Sequence, residues 1–258
     1  MLEMEFQELI AKISQNDANL FAIELASKGP NRKQLIEIAD ALKLNNTITF
    51  INLSDNKLGD AGVEIIAKAL LTNKTIRLVD LSNNQISDKG ASSVAALCAD
   101  NSAIVSIDLS HNKIRCQGAK AIAEMLIINR ALIAVNLDNN QIGNEGISFI
   151  TTALAFNYTL KSLYLGNNQI NRSGAIAVAE LLKINKTLLY LDVSHNQIGD
   201  KGTKAISEAL KLNQTLNFIS LNANDIGDEG AEAIAELLSI NQTLTLINLD
   251  YNAIGNRG

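Results

Sequence analysis

Two short stretches of the chain place an aspartate, a serine and a histidine within four residues. One contains Asp192, Ser194 and His195, and the other, at 108–111, repeats the same three residue types. A hydrolytic triad uses these groups, but it needs the imidazole between the serine and the aspartate. Residues two apart on a strand instead point side by side from one face. We therefore predict no catalytic residue and no enzyme activity.

These stretches belong to a repeat of 28 residues that runs through most of the chain without insertion, from "INLSDNKLGDAG" at 51–62 to "INLDYNAIGNRG" at 247–258. At the position of His195, the other units carry histidine, asparagine, aspartate, alanine or tyrosine, as expected for a tolerant surface position. Every unit has an asparagine in one common position, where its amide can satisfy backbone groups of the loop that leaves the strand. We predict that these asparagines form a structural ladder: Asn56, Asn84, Asn112, Asn140, Asn168, Asn196, Asn224 and Asn252.

No pattern in the sequence predicts a metal or a cofactor. The two histidines lie three repeats apart, which is roughly 14 Å at ~4.8 Å per strand and too far for one zinc ion. "DNNQIG" at 138–143 begins like a calcium loop but has Ile142 at a ligand position. "GDKGTK" at 199–204 lacks the spacing of a phosphate loop. We therefore expect no bound cofactor.

Composition favours a cytoplasmic protein that binds another protein. The chain has 258 residues, a net charge of −5 and only two cysteines, Cys98 and Cys116, which is typical of a reducing compartment. Its lysines and arginines are dispersed, so a nucleic-acid surface is not expected. Its apolar runs are shorter than the ~20 residues that span a bilayer, so we expect no membrane partner. Negative charge favours a protein partner with a basic or mixed surface.

Each repeat unit combines two hydrophobic periods. In "TLLYLDVSHN" at 187–196, Leu191 and Val193 alternate with a polar residue as in a strand. The segment that follows has helical spacing. Such units must stack to bury their apolar faces, and strands ~4.8 Å apart beside helices ~8–10 Å apart make the stack curve with its strands inside.

Two further repeated positions suggest how the helices begin and end. Asp or Asn just before the helical half, as at Asp60 and Asp200, predicts a cap on the helix of the same unit. Asparagine also recurs at the end of that half, as at Asn73 and Asn185. There we expect left-handed backbone geometry.

The pattern L-x-x-L-x-L-x-x-N-x-I in a 28-residue unit with a helix resembles the ribonuclease-inhibitor class of leucine-rich repeats and is similar to NOD-like receptor repeat regions. The resemblance implies a leucine-rich repeat solenoid, a right-handed α/β horseshoe with a parallel sheet on the concave face and helices on the convex face. We expect residues 1–46 to form an N-terminal helix and a degenerate capping repeat, with Lys28 and Pro30 at ladder and core positions.

Residues 47–258 contain seven full units and a partial eighth, which we expect to form one continuous domain. Because the eighth unit stops where its helix should begin, we expect either a truncated chain or an edge that a partner covers.

The concave surface is the predicted binding site. Aromatic residues make up only 4% of the chain, yet three of them, Tyr164, Tyr190 and Phe218, fall on consecutive strands among acidic residues. Aromatic residues ringed by polar ones are typical of a binding centre, although sheets favour aromatics in any case. The residues that we predict to contact a protein partner are Phe50, Asp80, Asp108, Asp138, Tyr164, Tyr190, Asp192, Phe218 and Asp250.

We therefore predict a non-catalytic scaffold for protein–protein interaction. Two alternatives stay open. One is a regulator of a small GTPase, of the GTPase-activating type, because Ran GTPase-activating proteins use a similar repeat. The other is a bacterial effector that acts in the host cytosol by binding a host protein, because the chain is a small isolated horseshoe rich in Asn, Ile and Lys.

Overall fold

In the computed structural model, which describes residues 2–258, nine short parallel strands form one open sheet in chain order. Each residue pairs with the one 28 positions later, for example Ile51 with Val79, so the repeat length sets the register. The strands are β1 (Ala22–Glu24), β2 (Phe50–Asn52), β3 (Leu78–Asp80), β4 (Ser106–Asp108), β5 (Ala134–Asn136), β6 (Ser162–Tyr164), β7 (Tyr190–Asp192), β8 (Phe218–Ser220) and β9 (Leu246–Asn248).

A helix precedes each strand, and within residues 2–258 these helices form the second layer. Each helix packs against the next along the chain. The helices are α1 (Leu2–Ser14), α2 (Arg32–Leu42), α3 (Gly59–Leu70), α4 (Asp88–Asp100), α5 (Cys116–Ile128), α6 (Gly143–Leu154), α7 (Arg172–Ile184), α8 (Gly199–Leu210) and α9 (Asp228–Leu238).

The core lies between the sheet and the helices. In strands β1 to β8, the middle residue is buried against the helices, while the residues before and after it face the other side of the sheet, as Leu163 and its neighbours in β6 show. A single unit cannot bury its apolar faces alone. They become buried only when the neighbouring units are stacked on both sides. The prediction of an α/β solenoid with a parallel sheet inside and helices outside is confirmed.

The first unit joins the same sheet. Strand β1 pairs with β2 in the common register, and α1 covers the start of the core with Phe6 and Ile13, both buried. The division at residue 46 into a capping region and a repeat region stays a prediction.

The predicted helix caps are wrong in one respect, because each acts on the next unit. Asp60 Oδ1 accepts hydrogen bonds from the backbone N–H of Ser87 and Gly90, at 2.8 and 3.0 Å. Asp200 does the same for Gly227 and Gly230. Helix N-termini present unpaired N–H groups, and in a stack the nearest carboxylate comes from the preceding unit. Equivalent cross-unit caps come from Asp88, Asn144 and Asp228.

Where the preceding unit lacks this side chain, the loop takes another path. Arg32, Cys116 and Arg172 occupy the cap position, and 27 residues after each of them lies a glycine with positive φ: Gly59, Gly143 and Gly199, at 58°, 65° and 61°. The N–H of each of these glycines donates to the backbone carbonyl of a ladder asparagine in the next unit. Glycine permits this backbone conformation at little cost. One residue in a unit therefore sets the loop of the next.

The expectation for the asparagines at the helix ends is also wrong. Asn101 and Asn185 have negative φ, −91° and −71°. Their side chains form a second buried ladder, in which Asn185 Nδ2 donates to the Leu154 carbonyl of the preceding unit at 2.9 Å. Its Oδ1 accepts from the N–H of Thr187 and Leu188. Burial together with these paired groups explains why asparagine recurs there.

Candidate protein-interaction surface

The concave face of the sheet consists of the first and third residues of the strands. In β2, β4, β5, β6 and β7 both are half-buried, so they lie at the surface without belonging to the core. The 28-residue register aligns them in two rows that cross the sheet, so that Tyr164 lies beside Asp192 and Tyr190 beside Phe218. This arrangement places side chains from different units next to one another.

Three aromatic rings form a continuous stack on this face. The ring centroids of Tyr164 and Tyr190 are 4.7 Å apart with a tilt of 38°. Those of Tyr190 and Phe218 are 4.2 Å apart and nearly parallel, at 8°. Burial raises the pKa of Tyr190 to about 12, with Asp192 contributing, so its hydroxyl keeps its proton and can donate a hydrogen bond. The stack offers a rigid apolar surface with polar tips.

The acidic residues at the strand ends also shape the loops. Asp80, Asp108 and Asp192 each use Oδ1 to accept the backbone N–H two residues later, at 2.8 to 2.9 Å. This Asx-type bond ends the strand. The Oδ2 of Asp108 accepts from Asn136 Nδ2 at 2.8 Å. A partner would therefore meet carboxylates whose orientation the fold already fixes.

Asp138 has a different role. Its unit is followed by one in which Tyr164 replaces the usual Asp, Asn or Ser, and Asp138 Oδ1 accepts the Gly166 N–H at 2.6 Å instead. A side chain at Gly166 would approach this carboxylate and Ser194 Oγ, at 3.2 and 3.0 Å. Burial, with a smaller effect of the nearby carboxylates, raises the pKa of Asp138 to about 6.

The nine predicted contact residues do not form a single cluster. Tyr164, Tyr190, Phe218 and Asp192 lie together, with Asp138 close enough to affect the tyrosine pKa values. Asp80 and Asp108 pair directly across β3 and β4 and form a second, acidic group. Phe50 lies further along the sheet in β2, and Asp250 is exposed in the turn after β9. The aromatic cluster is thus the centre of the predicted site.

The geometry of the aspartate, serine and histidine motif differs from that of a triad. Asp192 Oδ1 accepts the Ser194 backbone N–H, and the His195 N–H donates to the Asn222 carbonyl. His195 is exposed with φ at 52°, and its counterparts in the other units also have positive φ. Left-handed backbone favours Asn, Asp and His, which explains the recurrence of these residue types at this position.

Neither cysteine has the features of an activated thiol. Cys98 is buried, and burial raises its pKa to about 12. Burial also raises the pKa of the half-buried Cys116, and Glu145 adds to the shift. Separately, no helix in residues 2–258 combines the length and the apolar character needed to cross a bilayer.

Sequence reasoning missed a row of exposed apolar residues at the opposite end of the units, where helices lead into strands. Ile128, Phe156, Ile184, Leu212 and Ile240 each precede an asparagine of the second ladder and are 55–66% exposed. Their common position in the repeat was a visible signal. The helical period does not reveal this row, because its residues lie in the last helical turn or just past it.

Comparison with known proteins assigns the family. A model of the Leucine Rich repeat matches residues 44–67, 72–95, 100–123, 129–150, 156–179, 185–207, 212–235 and 241–258. This chain belongs to the leucine-rich repeat family, and the resemblance to the ribonuclease-inhibitor type is confirmed. Proteins of this family are generally binding scaffolds without catalytic activity. The comparison with curated proteins gives no match.

Solved structures show the same fold at low sequence identity. The leucine-rich repeat-containing protein LegL7 from Legionella pneumophila is 18% identical with a TM-score of 0.57, over 89% of this chain and 73% of that chain. The tropomodulin C-terminal domain from Caenorhabditis elegans is 16% identical with a TM-score of 0.51, over 58% and 92%. Leiomodin-1 Actin-Binding Site 2 is 22% identical over 80% of this chain and 88% of that chain, with a TM-score of only 0.37.

Proposed function

We propose that this protein is a non-catalytic interaction scaffold that binds a protein partner on its concave face. The aromatic stack of Tyr164, Tyr190 and Phe218 forms the centre, and the carboxylates of Asp108, Asp138 and Asp192 set the charge around it. The partner presents a basic or mixed surface. Recognition depends on shape and charge complementarity across a sheet that does not rearrange.

The observation that carries this proposal is the aromatic stack itself. Its members are half-buried and touch one another, so little side-chain entropy is lost when a partner covers them. Tyrosine is enriched among interface residues that dominate binding energy. Extended concave surfaces are also the usual binding surfaces of solenoid proteins.

The test uses affinity capture to obtain a partner, followed by measurement of its Kd. We expect Tyr190→Ala to weaken binding by ~2 kcal/mol or more, with the melting temperature nearly unchanged because the ring is not part of the core. Tyr158→Ala is the matched control, since Tyr158 is a 73% exposed tyrosine outside the concave face. A partner whose affinity is the same for both variants would contradict the proposal.

The two alternatives rest on weaker grounds. Regulation of a small GTPase rests on family resemblance alone, and a stimulated GTP hydrolysis assay would distinguish it from a passive scaffold. The effector hypothesis rests on amino-acid composition alone. Like the main proposal, it places the protein in a cytosol.

A further inference from the structure

A second surface of the molecule has a different chemistry from the concave face. We define the helix-to-strand edge as the eight seven-residue segments 43–49, 71–77, 99–105, 127–133, 155–161, 183–189, 211–217 and 239–245. We define the apolar row as the large apolar residues that directly precede the second-ladder asparagines in five successive units: Ile128, Phe156, Ile184, Leu212 and Ile240.

The apolar row is exposed and held in register. Its members are 60%, 59%, 60%, 66% and 55% exposed in chain order. Each is followed by an asparagine whose Nδ2 donates to the backbone of the preceding unit, such as Asn185 to Leu154 and Asn213 to Leu182. This ladder fixes the backbone from unit to unit, so the apolar side chains project side by side.

Part of the row lines a groove. Phe156 and Ile184 contribute to a shallow depression between α6 and α7, whose lining also includes Ala155, Ala177, Leu181 and Glu180, and the Glu180 carboxylate pairs with Lys183. Small residues on the helix surfaces leave room there for an inserted side chain. A contiguous exposed apolar surface of this kind marks an interaction site more often than scattered apolar residues do.

The charge of the edge specifies what it would bind. Its eight segments contain eight basic residues and one acidic residue, Asp100, although the whole chain has a net charge of −5. From 127 onward the segments contain no acidic residue at all. Arg130, Lys161 and Lys186 are exposed and form no salt bridge with the described residues. These three basic side chains border the apolar row, whereas Lys183 and Lys211 pair with glutamates of the helices.

From these observations we infer that the helix-to-strand edge docks an acidic amphipathic helix of a protein partner, separately from the concave face. The helix lays its apolar side along the apolar row, and its carboxylates meet Arg130, Lys161 and Lys186. A helix suits the row because apolar residues seven apart recur about every 10 Å along its axis, close to the ~8–10 Å between packed helices. A second copy of this chain fits poorly, because two such edges in contact would bring basic groups together.

The probe is a designed helical peptide of about five turns, with leucines on one face and glutamates elsewhere. A second peptide carries lysines in place of the glutamates. Binding to the full chain is followed by fluorescence anisotropy and by NMR chemical-shift changes. We expect the acidic peptide to bind, the basic one to fail, and the affinity to fall as salt rises.

The decisive variant is Phe156→Asp combined with Ile184→Asp, which we expect to weaken acidic-peptide binding about tenfold or more. The matched control is Leu44→Asp. Leu44 holds the same repeat position and is 84% exposed, but Thr72 and Asp100 separate it from the row. Arg130→Glu with Lys186→Glu should also weaken binding, whereas Tyr190→Ala on the concave face should not.

Several results would overturn the inference. They are equal binding of both peptides, no binding of the acidic peptide, or a Leu44→Asp effect as large as that of the row variant. Two other measurements test competing occupants. Row-dependent binding to phosphatidylserine vesicles without peptide binding would assign the edge to a membrane surface. Row-dependent dimerisation in sedimentation experiments would assign it to a second copy. Melting temperatures control for loss of folding.

Discussion

A single ladder asparagine supports the loops of two successive units. Asn140 Nδ2 donates to the carbonyls of Leu109 and Leu137, both at 3.0 Å, and its Oδ1 accepts the Ile114 N–H. Asn140→Ala leaves these buried groups unpaired, so we expect a loss of ~1–3 kcal/mol in the free energy of unfolding. Urea denaturation measures it. Asn217→Ala is the control, because Asn217 is exposed; an equal loss in both variants would refute the ladder role.

Asp138 is the residue whose charge state should change within an accessible pH range. Its folded pKa of about 6 exceeds the ordinary value of 3.8. The folded state therefore holds this proton more tightly than the unfolded state, and the contribution of this group to stability increases as pH falls from about 7 to about 4. Asp138→Asn removes the charge and keeps an acceptor for the Gly166 N–H.

We expect Asp138→Asn to melt at a higher temperature than the wild type above pH 7, with the difference shrinking toward pH 4. Thermal melts of both proteins across this pH range measure the difference in melting temperature. Groups other than Asp138 titrate in both proteins, so their effects cancel in this difference. Asp250→Asn is the control, because Asp250 holds the same repeat position but is exposed in the turn after β9. A constant difference across the pH range would show that Asp138 does not titrate near 6.

At the scale of elements, the sequence predicted the strands and helices because their periods depend on residues within one unit. Leu191 and Val193 show the strand period without reference to any neighbour. The caps were misassigned because their partners lie in another unit. Asp60 is close in sequence to its own helix, but its hydrogen bonds reach Ser87 and Gly90, and proximity along the chain does not reveal contacts across a stack.

Cross-unit capping predicts that a substitution in one unit destabilises the helix of the next. We expect Asp60→Ala to cost ~0.5–2 kcal/mol, while Asp60→Asn retains most of the stability because Asn144 fills the same role naturally. Hydrogen exchange should show the loss at the start of α4 and not of α3. The control is Arg172→Ala, where the next unit relies on Gly199 instead. Faster exchange confined to α3 would contradict the cross-unit contact.

At the scale of the whole molecule, the sequence repeat predicts the fold more completely than it predicts the binding surfaces. Buried positions such as Leu163 recur with the same residue class because every unit meets the same packing environment. Surface positions vary from unit to unit, so a cluster such as Tyr164, Tyr190 and Phe218 shows only when successive units are compared. The exposure of the apolar row depends on how the helices end, which periodicity does not specify.

Packing from both neighbours also makes stability uneven along the solenoid. Leu210 is 1% exposed, whereas Leu238, at the same position in α9, is 54% exposed because no described helix follows it. Ile107 and Ile247 likewise share a position, and only Ile107 is fully buried.

We therefore expect Ile107→Ala to cost ~2–5 kcal/mol, in the range for a buried isoleucine, and Ile247→Ala much less. Urea denaturation compares the two variants, and hydrogen exchange in the wild type should show β9 opening before β4. Because the residue type and the strand position are the same, the difference between the two losses in unfolding free energy measures the effect of packing by a second neighbouring unit. An equal cost at both positions would mean that each unit is stable through its own contacts and not through those of the stack.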